Sequence, residues 1–387
     1  MKKKALILFK YPWHWNKFII NKISRFYDVE HLYVDHISNK NFLEITEEIN
    51  NIIKSKKIEV VFFDVDYFRF INFYFIEKIK DVKKVLITFD DYELHEINSL
   101  TAFACDLVLS FCPLSVLKYK EKGFQAYQMI LEGDGRIFKN HNEKKEIDVL
   151  FFGGLSSDRK DLIDFLKKKG ISITTVGKET GNFATDEDLS KIISKSKIVL
   201  NLSKSTWGSV RNYPSNKLYE YYYQFKGRVV IAGLCGTACV SEFFPTCDLL
   251  FGKNTVPMFR TKEECLDILK KVLSDQNILD NYTKKLNSMC QNFYEDEKNF
   301  KPIFNAIENL EIRKPEFIQI PYWYQRICAK MIILRNLKNI NFFKAFLTIK
   351  DITPIIEKLN ITSKILIITE TILNIFWYSF KAIFKSR

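Results

Sequence analysis

Two cations, a glycine turn and a carboxylate fall within one stretch of seventeen residues, KGRVVIAGLCGTACVSE at 226–242. Lys226 and Arg228 can bring two positive charges to a diphosphate, just ahead of a segment whose backbone N–H groups can point the same way. Residues 229–234 are apolar enough to be a buried helix, and Gly236-Thr237 reads as its stop. Gly236 also lets the main chain come close to a ligand. Residues 238–241 resume as a short strand ending at Glu242, and a carboxylate past a strand end can accept hydrogen bonds from sugar or ribose hydroxyls. The same residues suit an ordinary helix-to-strand connection with a surface basic pair, and the segment alone leaves both readings open.

A second candidate for phosphate chemistry lies upstream. An apolar run at 147–152 is followed by Gly153-Gly154-Leu155-Ser156-Ser157 and then by a helix-compatible stretch at 158–169. Strand, glycine turn and helix outline a phosphate site, and Arg159 stands just inside the helix, within reach of it. The glycine pair lacks the full dinucleotide fingerprint, so a plain tight turn between strand and helix stays open. For general-base work the candidates are Asp90 and Asp91, adjacent carboxylates past an apolar run at 84–89, where like charge can raise one pKa. An Asp-rich helix cap is the alternative. His14 is the third candidate; it sits in YPWHWN between Trp13 and Trp15, aromatic rings that can stack on a sugar, and it also suits a plain loop position. His95 follows Asp91 by one helical turn, as its partner or as a surface residue.

These residues need elements to hold them, and the chain supplies an alternation of β and α units. Strands are expected at 5–9, 29–34, 58–65, 84–89, 106–111 and 126–131, with helices at 17–27, 73–79 and 114–122 between them. The charged run KNHNEKKE at 139–146 reads as an interdomain linker. A second α/β unit follows, with strands at 147–152, 171–176 and 198–202, closing helices at 263–273 and 277–294, and a further helix at 299–310. Short apolar strands separated by helices form parallel sheets covered on both faces.

The chain of 387 residues is 47% hydrophobic, which supports two domains of ordinary size and an extension and excludes a disordered protein. Eight cysteines are scattered without a CxxC pair, and Lys2 to Lys4 lead directly into a strand rather than into a secretory leader, so reduced thiols in a cytoplasmic protein are expected. Cys235, Cys239 and Cys247 are irregularly spaced with no histidine near, and no metal site is expected there.

The formal net charge is +13. Residues 313–387 hold 13 Lys and Arg against 4 Asp and Glu, a net +9, which leaves +4 for the 312 residues before them. Apolar and aromatic residues lie between those charges, which suits an anionic membrane surface and speaks against nucleic acid as a partner. At 363–384 the polar residues Lys364, Thr371, Asn374, Lys381 and Lys385 fall on one helical face opposite Ile, Leu, Phe and Trp. Glu370 and Lys381 make a membrane crossing costly. An in-plane interfacial helix is the expectation, and a helix packed on the domains is the alternative.

Taken in order, DVLFFGGLSSDRKDLIDFLKKKGISITTVG (148–177), KIVLNLS (197–203) and KGRVVIAGLCGTACVSE resemble the donor-binding half of group 1 glycosyltransferases of the CgeB/YkvP-like type. In the first half VLITFDDYELHE (85–96), DLVLSFCPLSVLKYKEKGF (106–124) and LEGDGRIF (131–138) agree, the last resembling the family's PxGxDxxxF hinge entry without its proline. The resemblance covers residues 3–310. It implies an α/β fold of the GT-B type, two Rossmann-like domains facing a cleft, with a helical C-terminal extension. Residues 1–142 would be the acceptor domain, 143–312 the donor domain and 313–387 a basic, apolar tail. It further implies a nucleotide-diphosphate sugar as co-substrate, with no cofactor and no metal; the basic, apolar tail adds the expectation of a surface-glycan or lipid-linked acceptor and of a protein peripheral on the inner face of the membrane. By position, Gly153, Gly154 and Arg228 match the family's phosphate region and Gly236-Thr237 the loop of its "ACG" motif. One departure stands out: relatives carry a ribose-binding glutamate before the Ala-x-x-Cys-Gly segment, where this chain has Ile231. Glu242 or Glu220 would take that role, or the donor is held differently, or transfer has been lost.

Overall fold

The computed structural model describes residues 2–13, 15–34, 37, 40–65, 70–130, 133–177, 181–204, 223–293, 299–312 and 318–339, and most positions from 352 to 385. Two parallel sheets are present. The first has the order β2-β1-β3-β4-β5-β6, built from β1 (Lys4–Phe9), β2 (Asp28–Tyr33), β3 (Val60–Asp64), β4 (Lys83–Thr88), β5 (Leu107–Ser110) and β6 (Ala126–Gln128). Its connecting helices are α1 (Asn16–Ile23), α2 (Phe42–Lys56), α3 (Phe73–Lys78), α4 (Asp91–Ala102) and α5 (Pro113–Glu121). The second sheet has the order β11-β10-β9-β7-β8, from β7 (Ile147–Phe152), β8 (Ile173–Val176), β9 (Ser196–Asn201), β10 (Ala238–Glu242) and β11 (Met258–Phe259). Its helices are α6 (Ser157–Lys168), α7 (Asp186–Ser194), α8 (Arg228–Leu234), α9 (Cys247–Phe251), α10 (Lys262–Ser274) and α11 (Gln276–Asn292).

The strands carry apolar residues on both sides because helices cover both faces of each sheet. In β1, Leu6 and Leu8 enter one core while Ala5, Ile7 and Phe9 enter the other. In β7, Leu150 and Phe152 face one layer and Val149 and Phe151 the opposite one. A period of two in side-chain direction thus turns a continuous apolar run into two half-cores. All eight cysteines are buried and free, and burial pushes the Cys235 thiol up to about 12, as it does Cys247.

Two segments cross between units. Residues 300–310, which the expected boundary at 312 places with the second domain, pack on the first sheet: α12 (Lys301–Glu308) sets Ile303, Phe304 and Ile307 against β1, β3 and β4, and Phe304 stacks on Phe26 at 4.0 Å between ring centroids. The tail also returns to the first domain. In α13 (Tyr322–Asn339), Tyr324, Cys328, Ala329 and Ile332 repeat at helical spacing and join the core of the first sheet. The Tyr324 hydroxyl accepts from Phe73 N at 3.1 Å and pairs with Thr101 Oγ1 at 2.8 Å. The last helix, α14 (Ile361–Lys385), packs on α13, with Ile367 and Thr371 buried and Glu370 taking both Nε and Nη2 of Arg326. No described helix is long and apolar enough to cross a membrane.

Candidate functional site

In parallel sheets ligands bind at the carboxyl ends of the strands, and seven of the singled-out positions stand there. Gly153 follows β7 with φ +116°, a conformation that glycine adopts without strain, and a Cβ on it would lie 3.2 Å from Arg228 Nη2. The missing side chain is what admits the guanidinium. Arg228 opens α8 and donates from Nε to Phe152 O at 2.7 Å and from Nη1 to Asn201 Oδ1 at 2.9 Å and Leu202 O at 3.2 Å. It is thereby fixed across the ends of β7 and β9, with the face of Phe151 5.2 Å away, while none of these bonds uses Nη2. Arg159, in the first turn of α6 and only 6% exposed, donates from Nη1 to Gly154 O at 2.7 Å.

The two guanidinium groups repel each other. Burial, reinforced by the charge of Arg159, pulls Arg228 down to about 9, against weaker support from Cys239 and Glu242. The pair stays charged at neutral pH, and a desolvated double cation is stabilised by an anion placed beside it. Glu242, at the carboxyl end of β10, accepts on Oε2 from Ser203 N and Lys204 N, both at 2.8 Å, and from Ser203 Oγ at 3.3 Å. These bonds hold one oxygen of the carboxylate and leave the other for hydroxyl donors.

The first domain contributes Asp90. It occupies the N-cap position of α4 in the left-handed region, φ 49° and ψ 35°, yet its carboxylate makes no cap hydrogen bond. It instead reaches the second domain, accepting from Gln224 Nε2 at 2.7 Å and from Lys226 Nζ at 3.1 Å. A strained carboxylate spent on a contact across a cleft, rather than on its own helix, fits a functional position. Asp91 goes elsewhere. It is 2% exposed and accepts from Thr88 Oγ1 at 2.5 Å, Asn98 Nδ2 at 2.6 Å, Tyr119 OH at 3.2 Å and Ser110 Oγ. Burial pushes its carboxyl up and these four bonds oppose the rise, so it is desolvation and not like charge that perturbs it. Asp91 ties β4, α4, β5 and α5 together inside the first domain. His95 is buried beside the ring of Tyr119, 4.6 Å between centroids, and burial together with Lys118 and Lys122 lowers it to about 4.

Gly236 and Thr237 lie at the other edge of the second sheet. They precede β10 rather than follow it, and Lys145 of the linker donates to Gly236 O at 2.8 Å and Thr237 Oγ1 at 3.0 Å. Thr237 Oγ1 donates to Ile193 O at 2.7 Å, and a Cβ on Gly236, whose φ is +67°, would meet Asn140 Nδ2 at 2.7 Å. The structure therefore gathers Gly153, Gly154, Arg159, Arg228, Lys226, Glu242 and Asp90 toward the carboxyl edges and leaves Gly236-Thr237 among linker contacts. Ile231 faces the apolar core on the inner side of α8, where a ribose-binding carboxylate would be buried. His14 and Glu220 lie outside the described residues. Gln224, Asn201 and Ser203 were not read from the sequence; Asn201 had a signal, as a polar residue ending an apolar strand. Among the described residues no cluster of three or more His, Cys, Asp and Glu could hold a metal ion.

No family model and no curated protein matches the chain in sequence. Solved structures match it in shape. Anabaena HepE in complex with UDP and glucose aligns with a TM-score of 0.59 at 11% identity, over 80% of this chain and 100% of that one. Sucrose-phosphate synthase from Thermosynechococcus elongatus aligns with a TM-score of 0.55 at 8% identity, over 80% and 98%. The fold is GT-B. The α/β architecture expected from the sequence is thus present, and the CgeB-like subfamily remains a resemblance of motifs. Within this GT-B fold the cleft is bridged by Asp90 with Gln224 and Lys226, and Lys17 of α1 pairs with Asp186 of α7.

Proposed function

We propose that this protein is a metal-independent glycosyltransferase that moves a sugar from a nucleotide-diphosphate donor to a surface-glycan or lipid-linked acceptor. The observation that carries the reading is the buried pair Arg159 and Arg228 brought together at the Gly153-Gly154 turn, two cations set at the carboxyl ends of the strands. HepE, similar in fold, is seen with UDP and with UDP-glucose. In the reaction the acceptor hydroxyl oxygen bonds to the anomeric carbon. The bond from that carbon to the phosphate oxygen breaks, and the diphosphate leaves with the electron pair. Arg228, Arg159 and Lys226 receive the charge that develops on it, the work a metal ion would otherwise do. Glu242 accepts from ribose or sugar hydroxyls. Once the diphosphate draws Lys226 away, Asp90 is released to take the acceptor proton in a transfer with inversion; a retaining transfer uses no such base. The membrane supplies the acceptor, and residues 313–387 meet its anionic inner face.

Ile231 favours a second reading, a silent nucleotide-sugar-binding protein that scaffolds glycan assembly, because the core position it fills offers no carboxylate to a ribose. Incubating purified protein with UDP-, GDP-, CMP- and TDP-sugars separates the two. Donor hydrolysis or transfer that is lost in Arg228→Ala is expected; tight donor binding with no turnover would establish the scaffold instead.

A further inference from the structure

The last helix is apolar on its outer side as well as its inner one, where Ile367 is buried and Ile368 packs beside it. Its buried positions include Thr371, whose hydroxyl donates back to Ile367 O at 2.6 Å, and the ion pair Arg326–Glu370 flanks them. Its exposed described positions are apolar apart from Thr362 and Thr369. Ile365, Leu366, Ile372, Leu373 and Trp377 recur at steps of seven and four residues, and their exposure runs from 39% at Ile372 to 63% at Leu373. Exposed large hydrophobics in a contiguous row mark a binding surface.

We propose that this outer face of α14 is the protein's bilayer-docking surface, lying in the plane of an anionic leaflet while the opposite face stays packed on α13. This rests on the reading of residues 313–387 as the membrane-facing tail and assigns which of its surfaces makes the contact. The charge chooses the partner. Residues 313–387 carry a net +9, so a second copy seated on this face would bring two such charges together, whereas anionic headgroups neutralise them. An indole at the rim, Trp377, has the amphipathic shape favoured at headgroup depth. A groove for nucleic acid would use the cations without a row of aliphatic side chains. With α14 lying flat, the first domain, against which the tail packs, is held next to the leaflet.

The full chain is tested by flotation with vesicles of phosphatidylcholine alone and of phosphatidylcholine with phosphatidylglycerol, comparing wild type with the triple variant Leu366→Ser, Ile372→Ser, Leu373→Ser. Because these side chains are exposed, the variant keeps the wild-type melting temperature and donor hydrolysis, readouts that separate loss of docking from loss of fold or of chemistry. The expected result is binding of wild type to the anionic vesicles, weakened about a hundredfold or more in the variant. Wild type that binds and a folded variant that binds equally would overturn the assignment of this face while sparing the tail. Wild type that ignores anionic vesicles, or that forms a dimer which the variant abolishes, would overturn both.

Discussion

The two ends of α8 belong to one continuous motif in sequence and do different work in space. Its first residue, Arg228, is stretched over the carboxyl ends of β7 and β9 through Phe152 O, Asn201 and Leu202 O. Just past its far end, Gly236-Thr237 is fastened to Lys145 of the linker and lies close against Asn140. Seven helical residues span about 10 Å, enough to carry the chain from one edge of the sheet to the other. A basic residue and a glycine turn eight positions apart therefore do not share a ligand when a helix runs between them. Asp90 and Asp91 repeat the lesson at a shorter range: one reaches across the cleft, the other is enclosed by Thr88, Asn98, Ser110 and Tyr119.

Breaking that second contrast has the largest expected effect. Asp90→Asn lowers kcat/KM for an inverting transfer by about 10²–10⁴-fold, the usual weight of a general base, with donor affinity and melting temperature nearly unchanged. Asp91→Asn does the reverse: it upsets four buried hydrogen bonds, and chemical denaturation reads a loss of about 2–4 kcal/mol. Equal effects of the two on turnover would remove the distinction drawn between them.

The contrast between the ends of α8 is sharpened by Gly236→Ala. The positive φ and the approach to Asn140 predict a cost of about 1–2 kcal/mol in stability, seen as a lower melting temperature, while the donor dissociation constant stays as in wild type. A smaller effect separates the two ends by pH. Donor affinity is flat through pH 8, because Arg228, although burial lowers it, keeps its proton there. At the other end, burial lowers Lys145 to about 8, with Cys235 opposing weakly. Its folded pKa lies below its unfolded one, so between these values the unfolded chain binds more protons and stability rises with pH. For this half-buried group the rise is on the order of 1 kcal/mol after solvent screening, and Lys145→Met abolishes it.

Much of the architecture was legible because apolar runs of strand length alternate with amphipathic stretches. The expected strands at 5–9, 84–89 and 147–152 lie within a residue of β1, β4 and β7. Two helices went unread although their caps were in view: Asn41 and Glu44 form a capping box ahead of α2, and Thr185 accepts from Asp188 N at the start of α7. The return of α12 and α13 to the first sheet had no local signal, since it is decided by contacts some three hundred residues apart, such as Phe26 with Phe304. At the candidate site, residue type singled out Arg228, Glu242 and Asp90, which the fold brings to the carboxyl ends of the strands. Linear proximity misplaced Gly236-Thr237, and Gln224 was invisible because its role depends on a partner in the other domain.

The central claim, that the diphosphate of a nucleotide sugar is held at the arginine end of α8, is tested most directly by calorimetric titration of a bound donor sugar. Wild type, Arg228→Ala and Gly236→Ala are compared at a temperature where all three are folded. The account predicts affinity reduced about 10²-fold or more in Arg228→Ala, the scale of a lost charge-assisted contact in a desolvated site, and unchanged affinity in Gly236→Ala. Wild-type affinity in folded Arg228→Ala would contradict it.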